Sequence, residues 1–87
     1  MVTFEEFYAS LTEKREANPE TSNSAKYLQL GPHAIGKKLV EEAAESWMAA
    51  NFESPNRTAE EISQLIYWAA LLAISMDLKI DDILKEL

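Results

Sequence analysis

An all-α bundle of four helices, completed by a second subunit, is the fold that three observations predict. Apolar residues recur at helical spacing in four separate segments. Only two glycines and three prolines interrupt the 87 residues. The ten residues Leu65 to Ile74 are apolar all round, which calls for cover on most sides of one helix. A chain of this size buries only about 60–65% of its unfolded surface, and it has no cysteine to staple it. Its extra stability is therefore expected from a metal ion or from another copy of itself.

The first helix carries Phe4, Phe7, Tyr8 and Leu11 at i, i+3, i+4 and i+7, with Thr3 and Glu6 at capping-box spacing before it. The polar, turn-rich stretch from Asn18 to Ser24 continues through Tyr27, Leu28 and Leu30 to Gly31-Pro32. It reads as a long loop, a kind of segment that is often functional in a small domain. A second helix is predicted over 34–52, with Ile35, Leu39, Val40, Ala43, Ala44 and Trp47 along a broad apolar stripe. The third begins at Ser54, with Pro55 at its first position, or at Thr58, and runs to about Met76. The fourth carries Ile80, Ile83, Leu84 and Leu87, with Asp81 and Asp82 in its first turn, where a helix dipole favours them. Residues 1–87 form one domain in this reading, without repeats or low-complexity tracts.

Charge narrows the function. Eight basic against fifteen acidic side chains leave a net charge of −7, which argues against nucleic acid and anionic membranes as partners. The longest apolar run is about half a bilayer span. The opening Met-Val-Thr-Phe-Glu-Glu has neither a basic nor an apolar leader region, so a cytoplasmic location is expected. A divalent cation suits the acidic balance.

The second helix supplies the chemical signal, Lys37-Lys38-Leu39-Val40-Glu41-Glu42-Ala43-Ala44-Glu45. At about 100° per residue, Glu42, Glu45 and Lys38 fall at roughly 100°, 40° and 60° from Glu41, on one face. Like charges at i, i+3 and i, i+4 repel, and a hard cation such as Mg²⁺ or Mn²⁺ reverses that sign. Glu61 on the third helix shares its side with Leu65 and Trp68, so it leans inward and needs a partner, a proton or a metal. Two inward acid patches on facing helices build a carboxylate cage. Other readings stand beside this one. The three acids of the second helix also fit a solvated face partnered by Lys37 and Lys38. Glu61 closes a capping box if its helix starts at Thr58, and Glu60 reads as surface. His33, the lone histidine, reads as solvated, and Trp47 and Trp68 as core or subunit interface.

The run Gly36 to Glu45, then Ala49-Ala50, then Glu61-Ile62-Ser63-Gln64-Leu65-Ile66-Tyr67-Trp68, resembles the phosphoribosyl-ATP pyrophosphohydrolases of the all-α MazG-like superfamily. The likeness extends from Thr3-Phe4-Glu5-Glu6 through Arg15 and Asn18-Pro19 to Asp82-Ile83. It implies a four-helix MazG-like bundle that dimerises. It also implies Mg²⁺-dependent hydrolysis of phosphoribosyl-ATP to phosphoribosyl-AMP and pyrophosphate in histidine biosynthesis. Glu42 and Glu45 match the family's metal-binding pair, with Glu41 beside them as ligand or water-orienting group. Glu61 matches the first acid of the family's second element. The second acid of that element is commonly Asp and is Gln64 here, a neutral oxygen donor in the metal set. The residue after Tyr67 is commonly His and is Trp68 here. The resemblance makes Lys37 and Lys38 the groups that steady the triphosphate, with Arg15 and Lys26 as further phosphate contacts. It places the sugar and purine contacts in the segment from Ser22 to Gly31. A house-cleaning nucleoside triphosphate pyrophosphatase would use the same acids. A metal-free helical interaction module would use them only as a solvated face.

Overall fold

A computed structural model describes residues 1–87. The chain is helical throughout, with five α-helices: α1 (Phe4–Thr12), α2 (Asn23–Leu30), α3 (Pro32–Phe52), α4 (Pro55–Ser75) and α5 (Ile80–Leu84), plus a 3₁₀ turn at Glu13–Glu16. The expected capping box opens α1: the Glu6 amide donates to Thr3 Oγ1 at 3.1 Å and the Thr3 amide to Glu6 Oε1 at 3.0 Å.

The segment read as a loop is instead the short helix α2, which raises the number of helices from four to five. Its ends explain it. Ser22 Oγ accepts from the Ala25 amide at 3.2 Å, capping the start. Gly31, at φ 97° and ψ 179°, ends it in a backbone region almost confined to glycine. Pro32 then opens α3 two residues earlier than the apolar pattern indicated, with φ suited to the first helical position.

The start of α4 resolves to Ser54, whose Oγ accepts from the Arg57 amide at 3.2 Å. Glu61 therefore lies in the second turn and caps nothing. Helices α3 and α4, each of 21 residues, are joined through Glu53 and Ser54 and form the dominant helix pair. So short a connection makes them antiparallel neighbours. At its far end α4 closes on Asp77, a non-glycine residue at φ 60°. The Asp77 amide donates to Ile74 O and the Leu78 amide to Ala73 O, a Schellman arrangement. Helix α5 ends at Leu84 and leaves Leu87 exposed, so the last residue of its expected stripe does not join the core.

The core consists of Tyr8 and Leu11 from α1, Ile35 from α3, and Trp68, Ala70, Leu71, Ala73 and Ile74 from α4. It covers one side of α4. On the opposite side Ile62 and Ile66 are exposed, and with Phe4, Met76, Leu78 and Ile83 the Ile66 side chain lines an apolar cleft of about 540 Å³. Along the outer face of α3, Val40 and Trp47 are 69% and 70% exposed, so Trp47 is not core within one chain. No helix is long and apolar enough to cross a membrane.

Candidate active site

Glu42 and Glu45 lie one turn apart on α3, and Glu61 lies in the second turn of α4. Each offers a carboxylate oxygen, and these oxygens lie within 4.8 Å of one another. The antiparallel hairpin produces this convergence, because the C-terminal half of α3 faces the N-terminal half of α4. Glu61 is the most enclosed of the three, its side chain 12% exposed; Glu42 is half-buried and Glu45 exposed. Burial, the hydrogen bonds from Glu42 to Glu61 and Glu45, and their charge raise the Glu42 carboxyl to about 7. Carboxylates this close are balanced by a proton or by a cation.

The donor set fits a hard divalent cation. Ligand oxygens on an octahedral Mg²⁺ stand about 3.0 Å apart when adjacent and about 4.2 Å when opposite, from a metal–oxygen distance near 2.1 Å. The three oxygens, within 4.8 Å of one another, already lie near that range. Gln64, one turn beyond Glu61, is exposed and makes no side-chain hydrogen bond to the protein. Its amide oxygen is free to add to the set.

The remaining predicted residues separate into groups. Glu41 turns away from the three acids toward Lys38, 3.4 Å from its Nζ, and its charge holds the ammonium above the ordinary lysine value. Lys38 Nζ also stands 5.8 Å from the Trp68 ring centroid. Trp68, where a histidine was expected from the resemblance, is thus a core residue (4% exposed) that carries part of a cationic side chain. Lys37, Lys38, Tyr27, Leu30 and Glu41 line an open cleft of about 310 Å³ between α2 and α3. His33 and Lys37 share a second cleft, of about 470 Å³, on the outer side of α3. Lys26 is exposed, with its ammonium 5.9 Å from the Tyr27 ring centroid. Helix α2 is tied to α4 at the same end by Ser24 Oγ and Tyr67 OH, 2.5 Å apart. Tyr27 meets the Trp68 ring edge-on at 4.8 Å.

Arg15 is placed elsewhere. Its guanidinium donates to the Ile74 carbonyl and to Asp77 Oδ1, the latter at 2.8 Å. That ties the 3₁₀ turn after α1 to the C-terminal end of α4, about 20 Å along the helix from Glu61 at 1.5 Å per residue.

Arg57 is the residue that sequence reasoning missed. Its guanidinium donates to Glu61 Oε1 at 2.8 Å, to Glu60 and to Glu53 at 3.4 Å. With Glu45, Met48, Glu53 and Glu61 it lines a cleft of about 220 Å³ next to the carboxylates. The available signal was spacing: Glu53, Arg57 and Glu61 succeed one another at i, i+4 and i+8 across the start of α4.

Comparison with known proteins identifies the family. The profile of the phosphoribosyl-ATP pyrophosphohydrolase family matches residues 4–87. A phosphoribosyl-ATP pyrophosphatase of Salinibacter ruber (strain DSM 13855 / M31) is 48% identical over 87 residues, covering the whole of both chains. The chain belongs to the phosphoribosyl-ATP pyrophosphohydrolase family.

Proposed function

We propose that this chain hydrolyses phosphoribosyl-ATP to phosphoribosyl-AMP and pyrophosphate in histidine biosynthesis, using Mg²⁺, or Mn²⁺ in its place, held by Glu42, Glu45 and Glu61. The observation that carries the reading is the convergence of those three carboxylates in a family member of matching length. Mg²⁺ at such a site supplies phosphate charge neutralisation and an activated water. The protein's own groups do the rest. A carboxylate of the cluster that is not fully engaged takes the proton of the attacking water. Lys38, steered by Glu41 and Trp68, and Lys37 face the phosphates from the N-terminal side of the cluster. Gln64 completes the donor set with a neutral oxygen. Helix α2 supplies sugar and purine contacts through Tyr27 and its neighbours, and Lys26 is placed for an outer phosphate. An enzyme of histidine biosynthesis draws its nucleotide substrate from the cytoplasm, where this reading places it.

The same reading makes the working unit a homodimer. Support comes from the apolar residues left uncovered on α3 and α4, Val40, Trp47, Ile62 and Ile66 among them, since apolar patches of this kind mark interaction surfaces.

Pyrophosphate release, measured with phosphoribosyl-ATP, dCTP and ATP in parallel, tests the proposal on wild type and Glu42→Ala. Mg²⁺-dependent release from phosphoribosyl-ATP that collapses in the variant is expected. Faster release from dCTP or ATP means a general nucleotide pyrophosphatase instead, and undiminished turnover by Glu42→Ala removes that residue from the metal set.

A further inference from the structure

We propose that Arg57 receives the diphosphate that leaves, so that the substrate lies along the α3–α4 seam with its nucleotide end at Lys38 and its diphosphate end at Arg57. This rests on the metal site and substrate proposed above and assigns a direction within that site.

Three observations carry it. The first is order along α4. Arg57 precedes Glu61 by four residues and Trp68, which carries Lys38, follows Glu61 by seven, or about 6 Å and about 10 Å at 1.5 Å per residue. The carboxylates thus lie between two cationic ends, as required if a scissile phosphate sits at the metal and phosphates extend on both sides. The second is space. The cleft between α2 and α3 at Lys37 and Lys38 measures about 310 Å³ and includes the Tyr27 ring. The cleft at Arg57 measures about 220 Å³ and has Met48 as its one apolar lining residue. Organic ligands occupy sites of about 300 Å³ and upward. The roomier, aromatic-lined Lys38 end therefore suits the nucleotide, and the smaller, charged Arg57 end suits a small anion.

The third observation is the chemistry of the guanidinium. It is a planar fork with five donors, matched to phosphate oxygens. In the metal-free chain it is occupied by Glu61 and by Glu53 and Glu60, whose side chains are 46% and 63% exposed. Contacts of that kind at a surface hold weakly. Once Glu61 serves a cation, its hold on Arg57 is shared, and a diphosphate oxygen can take that place on the fork. The acidic rim of Glu53 and Glu60 then opposes retention of the anion, which favours release of the product.

Calorimetric binding of inorganic pyrophosphate and of phosphoribosyl-AMP to the Mg²⁺-saturated protein tests the assignment on wild type, Arg57→Gln and Arg57→Lys. Mn²⁺ affinity of the same proteins is read by electron paramagnetic resonance. Loss of a charge-assisted contact predicts that Arg57→Gln weakens pyrophosphate binding about tenfold or more, with phosphoribosyl-AMP and Mn²⁺ affinities within about twofold of wild type. Arg57→Lys retains part of the pyrophosphate affinity. Equal loss for both products, loss for phosphoribosyl-AMP alone, or no change overturns the proposal. A fall in Mn²⁺ affinity as large as that for pyrophosphate also overturns it, because Arg57 then acts only through Glu61. A wild type that releases no pyrophosphate from phosphoribosyl-ATP overturns the function itself; an active wild type with an unaltered Arg57→Gln overturns the direction alone.

Discussion

Glu42 is the side chain on which proton and metal compete. Its carboxyl rises from an ordinary 4.5 to about 7 through burial and through Glu61 and Glu45 beside it. Between those two values the folded chain binds more protons at this position than the unfolded chain. Stability of the metal-free protein therefore falls as pH rises across that window. Thermal melts of metal-free protein between pH 5 and pH 8 are expected to show this decline, and Glu42→Gln is expected to flatten it. Metal binding has the opposite dependence, because the ligand must lose its proton first. Mn²⁺ affinity is expected to climb by up to about tenfold per pH unit below pH 7 and to level off above it. A pH-independent Mn²⁺ affinity contradicts the assignment of Glu42 as a ligand. Spacing put Glu41, Glu42 and Glu45 on one helical face and Glu61 on the side of Leu65 and Trp68, but left a solvated face open as a reading. The choice of Glu42, Glu45 and Glu61 came with the family resemblance. For Arg57 only the i, i+4 spacing to Glu53 and Glu61 was available, and its place beside the carboxylates follows from the packing of α3 on α4.

Among the elements, α2 is the one the residue pattern concealed. Its eight residues mix Asn, Ser, Lys and Gln with four apolar residues, and a helix so short is not stable on propensity alone. It forms because Ser22 and Gly31 close its ends and Tyr27 docks on Trp68. The two glycines should respond oppositely to alanine. Gly31→Ala, at φ 97°, is expected to cost about 1–3 kcal/mol from backbone strain, although nothing crowds the added methyl. Gly36→Ala, inside α3 and equally uncrowded, is expected to stabilise by about 0.5–1 kcal/mol. Urea unfolding of the pair checks both signs. Arg15 illustrates the other limit of sequence reading, because its partners lie 59 and 62 residues away in the chain. Arg15→Ala is expected to lower the melting temperature and leave Mn²⁺ affinity unaltered, since the α4 C-terminus is remote from the carboxylates. A loss of Mn²⁺ affinity in that variant places Arg15 at the site after all.

At the scale of the molecule, one chain leaves two apolar faces uncovered, and the proposed dimer accounts for them. The ten-residue apolar run pointed to this from the start, since one side of α4 suffices for the core of 87 residues. Ile66→Asp, placed in the cleft with Phe4 and Met76, is expected to shift the species in sedimentation from two chains of 9.8 kDa to one. An unchanged sedimentation coefficient means that this face is not the interface. The α3–α4 hairpin, the dominant helix pair, also brings together the three acids of the proposed site. Mn²⁺ titration of wild type and Glu61→Gln, followed by electron paramagnetic resonance, tests that claim most directly. Binding by the wild type with an affinity at least about tenfold above the variant is predicted, as expected for loss of a charged ligand. Equal affinities in the two proteins contradict it.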